Sequence, residues 1–187
     1  MTGRFPDFMV DVETTGTQPD RTAMIQLAAV RFNLAERTID TTSMFNQALF
    51  IPPHRFWDED TRGWWGSQKP DILDEIFRRM RDPQEVMWEF FHWTGGFDQY
   101  EAPRFWAKPT SFDFSFVASY FKDYGISNPF SFRQATDLNS FIRGLARDSS
   151  IINFKSEFPG GDAHNAIFDC IAQIDNVFKA MEHYAAT

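Results

Sequence analysis

Residues 8–12 read Phe8-Met9-Val10-Asp11-Val12, and the apolar run closes on a second acid, Glu13. Alternate side chains of an extended chain share a face, so Asp11 and Glu13 project together while Phe8, Val10 and Val12 point the other way. Met24 to Leu34 predicts a second strand, with Met24-Ile25 and Leu27-Ala28-Ala29-Val30 followed by Phe32. Arg37 to Leu49, rich in threonine and carrying Met44-Phe45, predicts a third. Short polar connections join them, which implies an antiparallel meander, and Pro52-Pro53 closes the section.

The pattern then turns helical. Asp58 or Asp60 is placed to cap a helix carrying Trp64 and Trp65. Pro70 opens a second helix through Met80, and Pro83 a third through Trp93, ended by Gly95-Gly96. Arg104 to Ala107 predicts a short strand, and Phe112 to Tyr124 a helix stopped by Gly125. Phe130 to Phe132 predicts a last strand, followed by a helix from about Gln134 to Arg147. The final helix is the clearest, since Ala166, Ile167, Cys170, Ile171, Ile174, Val177, Phe178 and Met181 form one apolar stripe. Asp169 falls roughly 130° from the centre of that stripe. Strands first, then strands alternating with helices, predict an α/β fold: an antiparallel meander and then parallel strands in one mixed sheet flanked by helices. No repeat or low-complexity linker divides the chain, so residues 1–187 are expected to form one domain with a helical insert at about 58–94.

Aromatic residues make up 17% of the chain, with 22 Phe and 6 Trp, enough to fill a core and leave some for stacking on bases or for a dimer interface. A net charge of −8 argues against gripping duplex nucleic acid through a broad basic face. Nucleic acid stays open as a substrate, because acids that hold divalent cations meet phosphate through the metal. Cys170 is the only cysteine, which excludes an intrachain disulfide and fits a reducing compartment. With no opening signal peptide and no apolar run of membrane-spanning length, a cytoplasmic protein without membrane attachment is expected.

Two carboxylates side by side destabilise a fold unless a cation sits between them, so Asp11 and Glu13 point to chemistry rather than packing. Asp113, in Ser111-Phe112-Asp113-Phe114, follows a strand signal and opens a helix, where an Asp is also a common cap. Asp169 by itself reads as a solvated helix residue, and His164 as an exposed loop residue. On one helix His164 and Asp169 would lie roughly 140° apart. They converge if His164 precedes the helix and the Gly160-Gly161 turn aims it back.

Taken in order, these segments carry a resemblance. Asp11-Val12-Glu13-Thr14-Thr15-Gly16, Phe112-Asp113 and His164-Asn165-Ala166-Ile167-Phe168-Asp169 resemble the three exonuclease motifs of the DEDDh set of DnaQ-like 3′→5′ exonucleases, over roughly Phe8 to Ala180. Arg55 to Gln68, with its paired Trp, is similar to the small bacterial and phage exonuclease A-like branch, which includes exoribonucleases. The resemblance implies a ribonuclease H-like fold and hydrolysis of single-stranded or frayed 3′ ends of DNA or RNA to nucleoside 5′-monophosphates. It implies two divalent cations, Mg²⁺ or Mn²⁺, held by Asp11, Glu13, Asp113 and Asp169, all hard oxygen donors. Asp11 would bridge them and His164 would be the general base. Thr14, Thr15 and Gly16 would contact the terminal nucleotide, and Trp64, Trp65 and Gln68 the terminal or penultimate base. Adjacent helical residues diverge, so one Trp is expected to pack inward and the other to face the cleft. Gln26 and Leu27 are weaker candidates. Arg78, Arg79 and Arg81 read as a solvated face, and His54, His92 and His183 as surface residues. An oligoribonuclease-type phosphodiesterase for very short RNA is the alternative enzyme; a non-catalytic nucleic-acid-binding domain would normally have lost its acids.

Overall fold

Strands β1 (Asp7–Thr14), β2 (Met24–Asn33) and β3 (Thr38–Leu49) form the expected antiparallel meander in the computed structural model, which describes residues 5–96, 103–151, 154 and 164–184. Strands β4 (Met80–Arg81), β5 (Arg104–Ala107) and β6 (Thr136–Asp137) complete a six-stranded sheet in the order β4-β3-β2-β1-β5-β6. The pairs β1–β5, β5–β6 and β3–β4 are parallel. The sheet is therefore mixed, and its helices make the fold α/β.

Alternation along β1 sets two apolar layers. Phe8, Val10 and Val12 pack with α3 (Pro83–Trp93) and α4 (Thr110–Asp123). Met9, with Ala28, Val30 and Phe32 of β2, packs with α5 (Leu138–Ala146) and α6 (Ala166–Tyr184). Asp11 and Glu13 share the parity of Met9 and so belong to the α6 side. A third cluster places α1 (Glu59–Gly66) and α2 (Pro70–Arg78) on Ile25 and Ala48 through Trp65, Ile72 and Ile76. Asp58 caps α1, its carboxylate accepting from Thr61 N–H. Cys170 is a buried free thiol in the second layer.

Two expectations need correction. The second helix stops at Arg78, and Met80-Arg81 pairs with Ala48 and Leu49 at the sheet edge, where backbone hydrogen bonds replace the helical ones. Phe130 to Phe132 is not a strand. Phe130 plugs the core against Phe8 and Phe105, and Ser131 caps a 3₁₀ turn over Phe132–Gln134. The strand comes later, as the two residues of β6, too short to leave a periodic signal.

Arg55 ties the β1–β2 connection to α4. Its guanidinium lies 2.6 Å from Asp123 Oδ2, donates to the Pro19 and Thr22 carbonyls at 2.7 Å each, and stands 4.3 Å from the Tyr120 ring centroid. Its side chain is 1% exposed and that of Asp123 28% exposed. Removing one partner of a buried pair costs ~3–5 kcal/mol; because water still reaches Asp123, Arg55→Met is expected to lose about 2–3 kcal/mol in urea unfolding.

Candidate active site

The site begins where β1 and β5 part. They pair only from Asp7 to Met9, so beyond Met9 the edge of β1 opens and Val12 N–H needs another acceptor. Asp113 supplies it, its Oδ1 accepting from Val12 N–H at 3.0 Å while the residue is 3% exposed. Helix α4 starts at Thr110 with Pro109 in the cap position, so Asp113 does not cap it. On the other side α6 begins after Asn165, whose carbonyl accepts from Phe168 N–H at 2.9 Å and Asp169 N–H at 3.1 Å. His164 thus precedes the helix, in left-handed backbone at φ 67°, and its N–H donates to Asp169 Oδ2 at 3.1 Å. The Gly160-Gly161 turn invoked for this placement lies outside the described residues.

One carboxylate oxygen from each of Asp11, Glu13 and Asp169 lies within 4.8 Å of the others. Asp11, Glu13, Asp113, His164 and Asp169 line one cleft of about 350 Å³ with Val12, Lys108, Pro109 and Phe112. All five expected chemical residues therefore meet. A cluster of hard oxygen donors this tight fits a small divalent cation, and burial together with mutual repulsion shifts the titration of the acids. Burial, then the carboxylates of Asp113, Glu13 and Asp169, raise the Asp11 carboxyl well above its ordinary range. Burial and the carboxylates of Asp169 and Asp113 push Glu13 up to about 8. Burial lifts Asp113 to about 7 and raises Asp169, the latter opposed by the His164 N–H and by the charges of His164 and Lys108.

These shifts link stability to pH. Glu13 normally titrates at 4.5 and in the fold at about 8, so the native state holds the extra proton between those values. Its contribution is complete below pH 4.5 and lost as pH rises through about 8. At ~1.4 kcal/mol per pH unit, the melting temperature in EDTA is expected to fall by on the order of 5–10 °C between pH 5.5 and pH 8. Mn²⁺ should restore it, more strongly at pH 8, because an ion must displace those protons. Differential scanning fluorimetry checks this; a flat profile in EDTA contradicts it.

A recess of about 400 Å³ continues from the cleft, sharing Val12, Glu13 and Phe112 with it and adding Thr14, Gly16, Thr17, Asp60, Thr61 and Trp64. Trp64 is 41% exposed, whereas Trp65 is 3% exposed and its Nε1 donates to the Thr14 carbonyl at 2.9 Å. The paired tryptophans split as helical geometry requires. Thr15 is absent from both linings. It is wholly buried, its hydroxyl donates to Phe56 O and accepts from Ala23 N–H, and its backbone pairs with Ala23 and Asp58. Gly16 runs so close beneath its neighbours that a Cβ would collide with Thr22 Cγ2 and lie 2.9 Å from Asp58 Cβ. Gln68 stands outside the recess, its amide on Trp64 O and Ser67 Oγ. Gln26 is buried with its amide on Asn46, and Leu27 is wholly buried.

Two residues of the site escaped the sequence reading. Lys108 follows β5 directly and lines the acidic cleft. Gln173, one helical turn beyond Asp169, donates from Nε2 to Asp11 Oδ1 at 2.8 Å. Its i+4 spacing from Asp169 was the available signal, since both fall on one helix face. Gln173→Leu is expected to lower Mn²⁺ affinity or activity by about 10–100-fold, as a lost hydrogen bond that orients a metal-binding carboxylate does. A Mn²⁺ titration of activity checks this.

Several solved structures share the fold. Cell-death related nuclease 4 is 18% identical, with a TM-score of 0.68 over 96% of this chain and 64% of its own. E. coli exonuclease I in its zinc-bound complex with single-stranded DNA is 15% identical, with a TM-score of 0.70 over 95% of this chain and 40% of its own. S. pombe Pop2p, in a Mg²⁺- and Mn²⁺-bound form, is 11% identical, with a TM-score of 0.67 over 98% of this chain and 86% of its own. The chain thus spans less than two thirds of the first two proteins, and likeness at these identities is likeness of fold. No curated protein matches the chain. The model of the 3′-5′ exoribonuclease Rv2179c-like domain matches residues 6–181, nearly the whole length, and the chain belongs to that family.

Proposed function

We propose that the protein is a metal-dependent 3′→5′ exonuclease that removes nucleoside 5′-monophosphates from single-stranded or frayed 3′ ends, with RNA the substrate class favoured by its family. The observation that carries this reading is the convergence of Asp11, Glu13, Asp113, Asp169 and His164 on one cleft joined to a nucleotide-sized recess. Asp11, Glu13, Asp113 and Asp169 would hold two divalent cations, Mg²⁺ or Mn²⁺, which when bound polarise the scissile phosphate and stabilise the entering and departing oxygens.

The remaining work falls to the chain. His164 accepts a proton from the attacking water as the water oxygen bonds to phosphorus. The bond from phosphorus to the 3′-oxygen breaks, and that oxygen takes a proton from solvent. Lys108 places a cation beside the same phosphate. The acids would meet phosphate through the cations they hold, so the nucleotide enters with its phosphate at the cleft and its sugar and base in the recess. There Val12, Phe112 and Trp64 give apolar faces, and Thr14 and Thr17 polar contacts. In this reading the chain is one exonuclease domain whose helical insert supplies the outer wall of the recess. The single, buried Cys170 fits a cytoplasmic setting. Among the described residues no helix is long and apolar enough to cross a membrane.

The test uses 5′-labelled RNA and DNA strands of matched sequence with Mg²⁺, Mn²⁺ or EDTA. A stepwise ladder that requires metal is expected, stronger on RNA. Metal-independent cleavage, or internal cuts in a circular strand, would overturn the assignment.

A further inference from the structure

The geometry points to Trp64 as a positioning residue for His164, coupling occupation of the nucleotide recess to the group that takes the proton; this rests on the exonuclease reading above. Among the described residues, the segment around His164 holds it through its backbone. Its backbone sits at φ 67°, a left-handed conformation that L side chains disfavour, and its N–H is tied to Asp169 Oδ2. Neither feature fixes the imidazole ring. Among the described residues the ring's aromatic neighbour is Trp64, at 4.8 Å between centroids and 87° between planes. That is the edge-to-face arrangement in which aromatic rings attract.

Trp64 is itself anchored. It meets Trp65 at 5.0 Å and 75°, and the Trp65 indole donates to the Thr14 carbonyl at the end of β1. A run of contacts therefore leads from the strand that carries Asp11 and Glu13, through α1, to the imidazole on the far side of the cleft. Trp64 also lines the recess while His164 lines the metal-holding cleft, so the indole stands between the two. A base entering the recess immobilises the indole, and the indole immobilises the imidazole.

A residue that only stacks on the base would change KM, whereas one that aims His164 must change kcat. Trp64→Ala is expected to lower kcat on saturating RNA by about 10–10²-fold, the cost of a misplaced reacting group. Trp64→Phe should recover most of the loss, since a phenyl ring can offer the same contact. In a His164→Ala background Trp64→Ala should cost little more, because the two act as one unit. In metal-free protein the His164 ring proton resonances should move in Trp64→Ala and return toward their original positions in Trp64→Phe. Unchanged kcat with raised KM, or an equal kcat loss with and without His164, would overturn the coupling. A wild-type enzyme with no nuclease activity would instead overturn the exonuclease reading.

Discussion

Asp11→Asn is expected to lower turnover by at least about 10³-fold and, in the same protein, to raise the melting temperature of the metal-free form at pH 8. The two effects share a cause. Asp11 stands within reach of Glu13 and Asp169, and Asp113 adds a third repulsion, so its charge is the one the fold tolerates least without a cation. Replacing it with a neutral side chain of the same shape relieves the burial and the repulsion at once. The neutral amide is also a poor ligand for a hard cation. A bound cation contributes several kcal/mol of charge stabilisation to phosphoryl chemistry, and each ~1.4 kcal/mol is a tenfold change in rate. Steady-state assays with Mg²⁺ and Mn²⁺, beside melting curves with and without EDTA, measure both effects. A variant that melts lower than wild type in EDTA at pH 8 would show that Asp11 serves the fold rather than a cation.

The five residues that meet in the cleft are legible in the sequence through the resemblance of their motifs, while local rules supply the faces on which some of them lie. Asp11 and Glu13 share one face of a strand by period-two alternation, and Asp169 is set off the apolar stripe of α6 by helical geometry. For Asp113 a helix cap stood open as a second reading, and only the parting of β1 from β5 reveals why it turns to Val12 N–H instead. That partner is 101 residues away in sequence, a separation over which no local pattern reports. Lys108 and Gln173 were missed for related reasons. A lysine after a strand and a glutamine on a helix are ordinary, and their meaning depends on what the tertiary fold sets opposite them. The meander and the long helices followed from hydrophobic periodicity, whereas β4 and β6, of two residues each, are defined by their neighbours' hydrogen bonds alone.

Thr15 is a motif position that the resemblance, by a backbone contact, places with Thr14 and Gly16 at the terminal nucleotide. Thr14, Thr15 and Gly16 run together in sequence, yet the irregularity of β1 after Glu13 turns them apart. Thr14 and Gly16 reach the recess, while the Thr15 hydroxyl bridges Phe56 and Ala23 and holds the turn shut. Its contribution is to keep Gly16 beneath Asp58 and Thr22, the close approach that leaves no room for a side chain.

His164→Ala is expected to lower kcat by about 10²–10⁴-fold while leaving the thermal stabilisation by Mn²⁺ largely intact. The separation follows from where the atoms lie. The oxygens that converge belong to Asp11, Glu13 and Asp169, and the link from His164 to them runs through its backbone N–H, which alanine retains. Cation binding therefore survives the substitution, whereas proton abstraction loses its acceptor. KM should change little, because His164 lines the cleft rather than the recess where sugar and base would lodge. Without an internal base the reaction draws on hydroxide from solvent, so the variant's rate should climb steadily with pH. Added imidazole should restore part of it by occupying the space the side chain leaves. A variant that keeps wild-type kcat would remove His164 from the chemistry. One that loses the Mn²⁺ stabilisation together with activity would make it a ligand instead of a base.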